Sequence, residues 1–208
     1  MPQTVALSTR VREESASVHS EAETSALMTD LLEGRLSAEQ YAELLAQLQH
    51  VYAAIDDGAR ALRDDPQIGG LLDPRLDRTV AIAADLAALG AAPVEPTAAT
   101  RAYVERVNEV ASTWPLGFLA HHYTRYLGDL SGGMVMAKVL GESLGLTPTT
   151  GLAFFQFDIG SAPAFKRDYR DRLDALGLSD ADAQDFIAES RRAYGFNLAM
   201  FDSVGAAA

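Results

Sequence analysis

Cysteine is absent from the 208 residues of this chain, which excludes disulfides and metal sites built on thiolates. No apolar run reaches the ~18 residues that a membrane-spanning helix needs, so we predict no membrane span. The first residues, MPQTVALSTRVREES, lack the basic and then apolar pattern of a secretory signal. A cytoplasmic location is therefore the expectation.

Positive charge is scarce, with 17 Lys and Arg residues against 29 Asp and Glu residues and a net charge of −12. Nonspecific binding to DNA or RNA relies on a basic surface, so this balance argues against a nucleic-acid partner. The hydrophobic content of 48% in 208 residues is enough for one well-buried domain. We therefore predict a single domain that spans residues 1–208.

Alternation of apolar and polar residues is nowhere long enough to indicate a strand, and the pattern is all-helical. A capping box at residues 37–40, SAEQ, precedes one long amphipathic stretch, and SDAD at 179–182 resembles a second helix start. Seven helices are predicted, at residues 9–32, 38–63, 74–89, 98–112, 115–145, 162–176 and 180–203.

Glycines interrupt the helical pattern in the segment RYLGDLSGGMVMAKVL, residues 125–140. Each costs about 1 kcal/mol relative to alanine inside a helix. Gly128 and Gly132 are four residues apart, as are Asp129 and Gly133, so all four lie on neighbouring stripes of one side. A stripe without side chains suits close packing by another helix or the approach of a planar ligand. Asp129 favours the ligand, because burying a carboxylate against a helix is costly.

A planar ligand of this size indicates a tetrapyrrole, whose iron needs a protein ligand. The chain has four histidines, and each also fits an ordinary surface or core position. Glu23 follows His19 by one helical turn, so its carboxylate can fix the second ring nitrogen, as metal-bound histidines usually require. His121 and His122 precede the glycines by less than two turns and are rival ligands.

Basic residues occur where a ligand that bears propionates would need them. Arg12 precedes His19 by two turns, and Lys166 and Arg170 are four residues apart in FKRDYRDR. The same two cations also fit a helix face that balances the neighbouring aspartates.

The segment AHHYTRYLGDLSGGMVMAKVL closely resembles the distal-helix signature of heme oxygenases, and TRVREESASVHSEAE resembles their proximal helix. The similarity runs from about residue 8 to residue 203. It implies an all-α, single-domain bundle with heme between a proximal helix and a glycine-kinked distal helix. It also implies an enzyme that uses O2 and an external electron donor, such as a ferredoxin or flavoprotein reductase, to cleave heme at the α-meso carbon. The products would be biliverdin IXα, CO and ferrous iron, with heme as both substrate and cofactor.

The resemblance also implies roles for individual residues. His19 matches the iron ligand, and Glu23 matches the acidic residue that contacts its ring. Gly128 and Gly132 match glycines whose backbone lies against the heme face, and Asp129 matches the carboxylate that organises water there. The other catalytic residues implied, around that water, are Tyr52 and Arg125. The other heme contacts implied are Arg12, Met28, Tyr123, Lys166, Arg170, Asn197 and Phe201.

Two features depart from the family pattern. Tyr194 stands where mammalian relatives have a phenylalanine, which would change the pocket wall. The chain ends at FDSVGAAA, without the hydrophobic tail of membrane-bound relatives, so we expect a soluble, bacterial-type enzyme.

Three other classes of protein are the alternatives. A heme carrier, sensor or storage protein would also use His19 and the basic residues, but would have no evident use for Asp129. A di-iron oxidase on a similar helical scaffold needs carboxylates and histidines from several helices, and no Glu-x-x-His pair occurs here. A helical interaction protein would not bind hemin.

Overall fold

Residues 5–205 are described by the structure, a computed structural model. Helices are the only regular elements in this part of the chain, so the all-α prediction is confirmed. The α-helices there are α1 Leu7–Glu14, α2 Ala16–Glu23, α3 Ala26–Leu32, α4 Ala38–Ala61, α5 Thr79–Ala88, α6 Ala98–Thr113, α7 Pro115–Leu144, α8 Ala162–Asp174 and α9 Asp180–Gly205. Short 3-10 helices occupy Gly69–Leu71, Pro74–Leu76 and Ala153–Phe155.

The single helix predicted over residues 9–32 is wrong, because three helices occupy this stretch. The first break is at Ser15, whose hydroxyl donates to the Val11 carbonyl oxygen at 2.6 Å. The second precedes α3, where the Ser25 hydroxyl accepts a hydrogen bond from the Met28 amide at 3.5 Å. Serine side chains compete with the helix for backbone groups in this way, and the apolar spacing does not reveal the competition.

The predicted helix at 74–89 is also wrong in its first part. A 3-10 helix occupies Pro74–Leu76, and α5 begins only at Thr79. The Asp56 carboxylate, from α4, accepts hydrogen bonds from the backbone amides of Arg78 and Thr79 at 2.9 and 2.8 Å. Since the carboxylate that starts α5 comes from a distant part of the chain, local sequence does not show where the helix begins.

Helix α4 forms the centre of the core. Its capping box forms as predicted, with Ser37 and Gln40 each bonded to the other's backbone. It packs against α5, α6, α7 and α9, and α7 packs along α9. The largest fully buried side chains of the described core include Tyr41, Tyr52, Tyr103, Tyr126 and Phe118.

Helix α7 has two different halves. Residues 116–127 are all buried, whereas Met134 and Val135, farther along, are 78% and 56% exposed. The helix is continuous through its glycines, from Pro115 to Leu144. It ends at Gly145, whose φ of 68° is the left-handed conformation that favours glycine at a helix end.

Across residues 5–205, no helix combines the length and the apolar character needed to cross a membrane.

Candidate functional site

A cleft of about 530 Å³ opens between α2 and α3 on one side and the glycine-bearing part of α7 on the other. Its volume lies within the range of small-molecule and cofactor sites, ~300–1,000 Å³. The site residues predicted from the sequence that line it are Arg12, His19, Glu23, Met28, Tyr123, Arg125, Gly128, Asp129, Gly132, Arg170, Asn197 and Phe201. Two predicted residues, Tyr52 and Lys166, are not among the lining residues and contact the site through others.

His19 lies on α2 and faces the cleft. Its Nε2 atom is 3.3 Å from Glu23 Oε1, and its side chain is 45% exposed. The centroid of its ring is 5.1 Å from that of the Tyr194 ring, on α9. An imidazole with one nitrogen held by a carboxylate and its ring accessible from a cleft is suited to bind a metal.

The other three histidines, which also lie in the described part of the chain, do not line the cleft. His121 pairs its Nε2 with Glu189 Oε1 at 2.8 Å, and His122 pairs its Nδ1 with the Tyr169 hydroxyl at 3.0 Å. Burial lowers the pKa of both, that of His122 to about 3. His50 bonds through Nε2 to the Val94 carbonyl oxygen at 2.9 Å. The rival assignment to His121 or His122 therefore places the ligand inside the core.

Gly128 and Gly132 of α7 face the cleft, and no helix in the described part of the chain lies over them. A Cβ atom built at Gly128 would meet no described atom within 4 Å, and one at Gly132 would meet only the end of Met136, at 3.5 Å. Gly133 is different, because its Cβ would approach the Phe155 ring to 3.2 Å. Of the two uses of the stripe, approach of a ligand fits Gly128 and Gly132, whereas close packing fits Gly133.

Asp129 lies beside this stripe, in a buried hydrogen-bond network. The Tyr52 hydroxyl donates to Asp129 Oδ2, and Arg125 Nη2 is 3.5 Å from Oδ1. Arg125 also donates to the Tyr52 oxygen through Nε and Nη2, at 3.1 and 2.8 Å, and to Asn197 Oδ1 through Nη1, at 2.6 Å. The network joins α4, α7 and α9 behind one wall of the cleft.

Burial raises the pKa of Asp129, and the Arg125 guanidinium and the Tyr52 hydroxyl offset only part of this effect. Burial also raises the pKa of Tyr52 well above its usual value. A carboxyl group whose pKa is raised inside a cleft can hold or release a proton nearer to neutral pH than an exposed aspartate can.

Basic side chains lie along one rim. Arg12 and Arg170 line the cleft with Tyr123. Lys166 Nζ donates to the Ser131 hydroxyl at 3.0 Å, and Ser131 lines the cleft. Lys166 is therefore at the rim, one residue removed from the cleft surface.

Sequence reasoning did not identify Phe154 and Phe155, which line the cleft from the 3-10 helix Ala153–Phe155. The aromatic run AFFQF was the available signal.

Tyr194 also lines the cleft, and burial raises its pKa to about 12. Over residues 5–205, no group of three or more His, Asp or Glu side chains is arranged to hold a metal ion, so the di-iron alternative has no ligand set there.

Comparisons with known proteins agree with this geometry. The family model described as heme oxygenase matches residues 5–203. A heme oxygenase of Porphyra purpurea is 34% identical over 203 residues, which is 95% of this chain and 86% of the relative. The crystal structure of heme oxygenase-1 from a Synechocystis species in complex with heme superposes with a TM-score of 0.92 at 33% identity, covering 98% of this chain and 94% of that one. The heme oxygenase structure from Leptospira interrogans gives 0.91 at 32% identity, covering 96% and 100%.

Proposed function

This chain belongs to the heme oxygenase family and is an enzyme that degrades heme, and we propose that it uses O2 and an external electron donor to cleave heme at the α-meso carbon. The products are biliverdin IXα, CO and ferrous iron. The observation that carries the proposal is the cleft itself, with His19 on one wall and Asp129 beside an uncovered glycine stripe on the other. Heme bound in the cleft would supply the iron that activates O2.

On the α2 side, His19 holds the iron and Glu23 holds the imidazole. The 3.3 Å contact between His19 Nε2 and Glu23 Oε1 supports this pairing. A carboxylate partner fixes the ring orientation and tautomer, which keeps one neutral nitrogen available to the metal. Tyr194 packs near the imidazole and limits its rotation, because the two ring centroids are 5.1 Å apart. Met28 and Phe201 contribute apolar cleft wall.

On the α7 side, the chain supplies protons and space. Gly128 and Gly132 leave room above the substrate for O2 and water, since no described side chain fills that volume. Asp129 orders water there and delivers protons, with its carboxylate held by Tyr52 and Arg125 and the guanidinium anchored by Asn197. The raised pKa of Asp129 supports this role, because the group can be protonated again between steps.

The basic rim orients the substrate. The two propionates mark one edge of the porphyrin, and Arg12, Tyr123, Lys166 and Arg170, which lie in the cleft or at its rim, would bind them. Bonds from cations to carboxylates are among the stronger hydrogen bonds in proteins. If the rim holds that edge, the opposite, α-meso edge would lie deeper in the cleft, towards Gly128 and Gly132, and cleavage there would give the α isomer.

The same rim is the surface we propose for the electron donor. The net charge of −12 would repel an acidic ferredoxin or flavoprotein reductase over most of the surface. Arg12 and Arg170 line the cleft and Lys166 lies at its rim, while Arg167 is exposed on the same helix as Lys166 and Arg170. Complementary charge of this kind mainly raises the association rate, so reduction by the donor protein should slow as salt is raised.

The test is aerobic incubation of the hemin complex with ascorbate or a ferredoxin system. We expect the Soret band to disappear while biliverdin, CO and chelatable ferrous iron form, and chromatography to identify the IXα isomer as the main product. A Soret band that persists would identify a heme carrier instead. A mixture of biliverdin isomers from the wild-type protein would contradict the proposal that the basic rim orients heme.

A further inference from the structure

The segment that follows α7, residues 151–157, is held by a buried carboxylate from a helix outside the cleft. Asp85 lies on α5 and is 1% exposed. Its Oδ1 accepts a hydrogen bond from the Ala153 amide and its Oδ2 one from the Phe154 amide, both at 2.7 Å. Bonds from amides to an ionised carboxylate are about twice as strong as neutral ones. Asp85 thus holds the backbone of the 3-10 helix at two adjacent residues.

Other groups hold the same segment from other directions. Arg78 Nη1 donates to the carbonyl oxygens of Phe154 and Gln156 at 3.3 and 2.5 Å, and its guanidinium lies 3.9 Å from the centroid of the Phe157 ring. Arg78 is itself positioned at its backbone amide by Asp56. Of these groups, Asp85 is the one that binds the two amides next to the cleft-lining rings.

The segment delivers two aromatic rings to the cleft. Phe154 packs edge-on against Tyr52, with centroids 5.3 Å apart, and Tyr52 donates to Asp129. Phe155 lies against Gly133, where an added Cβ would come within 3.2 Å of its ring. A change in this backbone therefore alters both the cleft wall and the packing of Tyr52.

We propose that Asp85 is a positioning residue for heme cleavage. It fixes Phe154 and Phe155 as part of the cleft wall, and through Phe154 it keeps the Tyr52 hydroxyl at hydrogen-bond distance from Asp129. The inference rests on the proposed function, since it concerns the same cleft. It assigns a role to a residue that does not touch the cleft and whose effect passes through two aromatic neighbours.

Asp85→Asn tests the proposal. Asparagine has the same shape, but its NH2 group would face a backbone N–H, so one of the two bonds is lost. We expect the hemin dissociation constant, measured by optical titration, to rise about tenfold, which corresponds to roughly 1.4 kcal/mol. We also expect the acid–alkaline transition of the ferric hemin complex to move in pH, because under the proposed function Asp129, held by Tyr52, would hydrogen-bond to water on that side of the cleft.

Asp65→Ala is the control for lost stability. Oδ1 of Asp65 accepts hydrogen bonds from the backbone amides of Gln67 and Ile68, at 2.9 and 3.0 Å, and Asp65 does not line the cleft. Alanine is used here because asparagine would keep that one oxygen and therefore both bonds. This variant should lose stability while its hemin affinity and acid–alkaline transition stay at wild-type values. If Asp85→Asn also leaves both hemin measurements at wild-type values, the role of Asp85 is structural and the proposal is overturned.

Phe155→Leu keeps the test decisive if Asp85→Asn does not fold. It leaves Asp85 in place and changes only the wall, so it should weaken hemin binding, and unchanged binding would overturn the proposal. The proposed function and the role of Asp85 are contradicted by different results. A wild type that binds hemin without degrading it defeats the proposed function, whereas the comparison of Asp85 with Asp65 uses binding and absorption spectra alone.

Discussion

At the scale of single residues, burial separates four histidines into different roles. His121 and His122 are 0% and 1% exposed and each has a hydrogen-bond partner within the core. His19 reaches the cleft from a short helix, with Glu23 beside it. Sequence spacing left His121 and His122 as rivals, because a helical period does not say which side of α7 faces a cleft and which faces α6 and α9.

We predict that His19→Ala abolishes the histidine-ligated absorption spectrum of the hemin complex while the fold is retained. The imidazole is the iron ligand in our assignment, and its side chain is 45% exposed, so its removal disturbs little packing. Added imidazole should restore the spectrum. His122→Ala is the comparison, and it should lower the melting temperature but keep the ligand. The opposite pattern would show that the iron ligand has been misassigned.

We predict that Tyr52→Phe slows biliverdin formation about 10²-fold, the scale of positioned proton transfer, with little change in hemin affinity. The hydroxyl donates to Asp129 and accepts from Arg125, so its loss frees the carboxylate that delivers protons. Single-turnover absorption spectroscopy measures the rate.

A second tyrosine provides the control for Tyr52. Tyr126 donates to Asp56 in a similar buried pair, which lies outside the cleft. Tyr126→Phe should lower stability and leave the rate per folded molecule unchanged. Equal rates for wild type and Tyr52→Phe would remove the network from the mechanism.

At the scale of helices, α7 and α4 were predictable and the first helical stretch was not. The glycine stripe and the capping box are local patterns that survive in the fold. The breaks at Ser15 and before α3 depend on single serine hydroxyls, and the start of α5 depends on Asp56 from another helix. The wall made by Phe154 and Phe155 was missed for the same reason, because long-range bonds to Asp85 and Arg78 create it.

We predict that Gly128→Ala makes the hemin-free protein more stable by up to about 1 kcal/mol and weakens hemin binding. The stabilisation follows because a Cβ there meets no described atom within 4 Å, so only the helix preference of alanine counts. The weaker binding follows because that Cβ enters the cleft. Denaturant unfolding and optical titration measure the two effects.

Gly195→Ala, on α9, is the control for Gly128→Ala. Its Cβ also meets no described atom within 4 Å, but Gly195 does not line the cleft. It should stabilise the protein without changing hemin affinity. If Gly128→Ala binds hemin as tightly as Gly195→Ala does, the stripe is not the ligand surface.

At the scale of the whole molecule, the acidic chain carries its chemistry on a small part of its surface. The net charge is −12, yet Arg12, Lys166 and Arg170 lie at one rim of the cleft. The sequence predicted Arg12, Lys166 and Arg170 as separate heme contacts, and the packing of α1 against α8 brings them to one edge. The core behind that edge contains the buried histidines, whose ionisation links folding to pH.

We predict that the free energy of unfolding of the hemin-free protein falls as pH is lowered from 6.5 towards 3, in part through His122. Burial lowers the pKa of His122 from 6.5 to about 3 in the folded protein. Between these values the unfolded chain binds a proton that the folded chain does not, so stability is complete above pH 6.5 and is lost as pH falls. One such group contributes a slope of about 1.4 kcal/mol per pH unit.

His122→Asn, which keeps a polar partner for the Tyr169 hydroxyl, should remove that slope while the slope from His121 remains. Urea unfolding at pH 6.5, 6.0, 5.5 and 5.0 measures it. If the free energy of unfolding changes with pH equally in wild type and variant, His122 has the same charge in the folded and unfolded states. Its burial then does not determine the stability of the protein in acid.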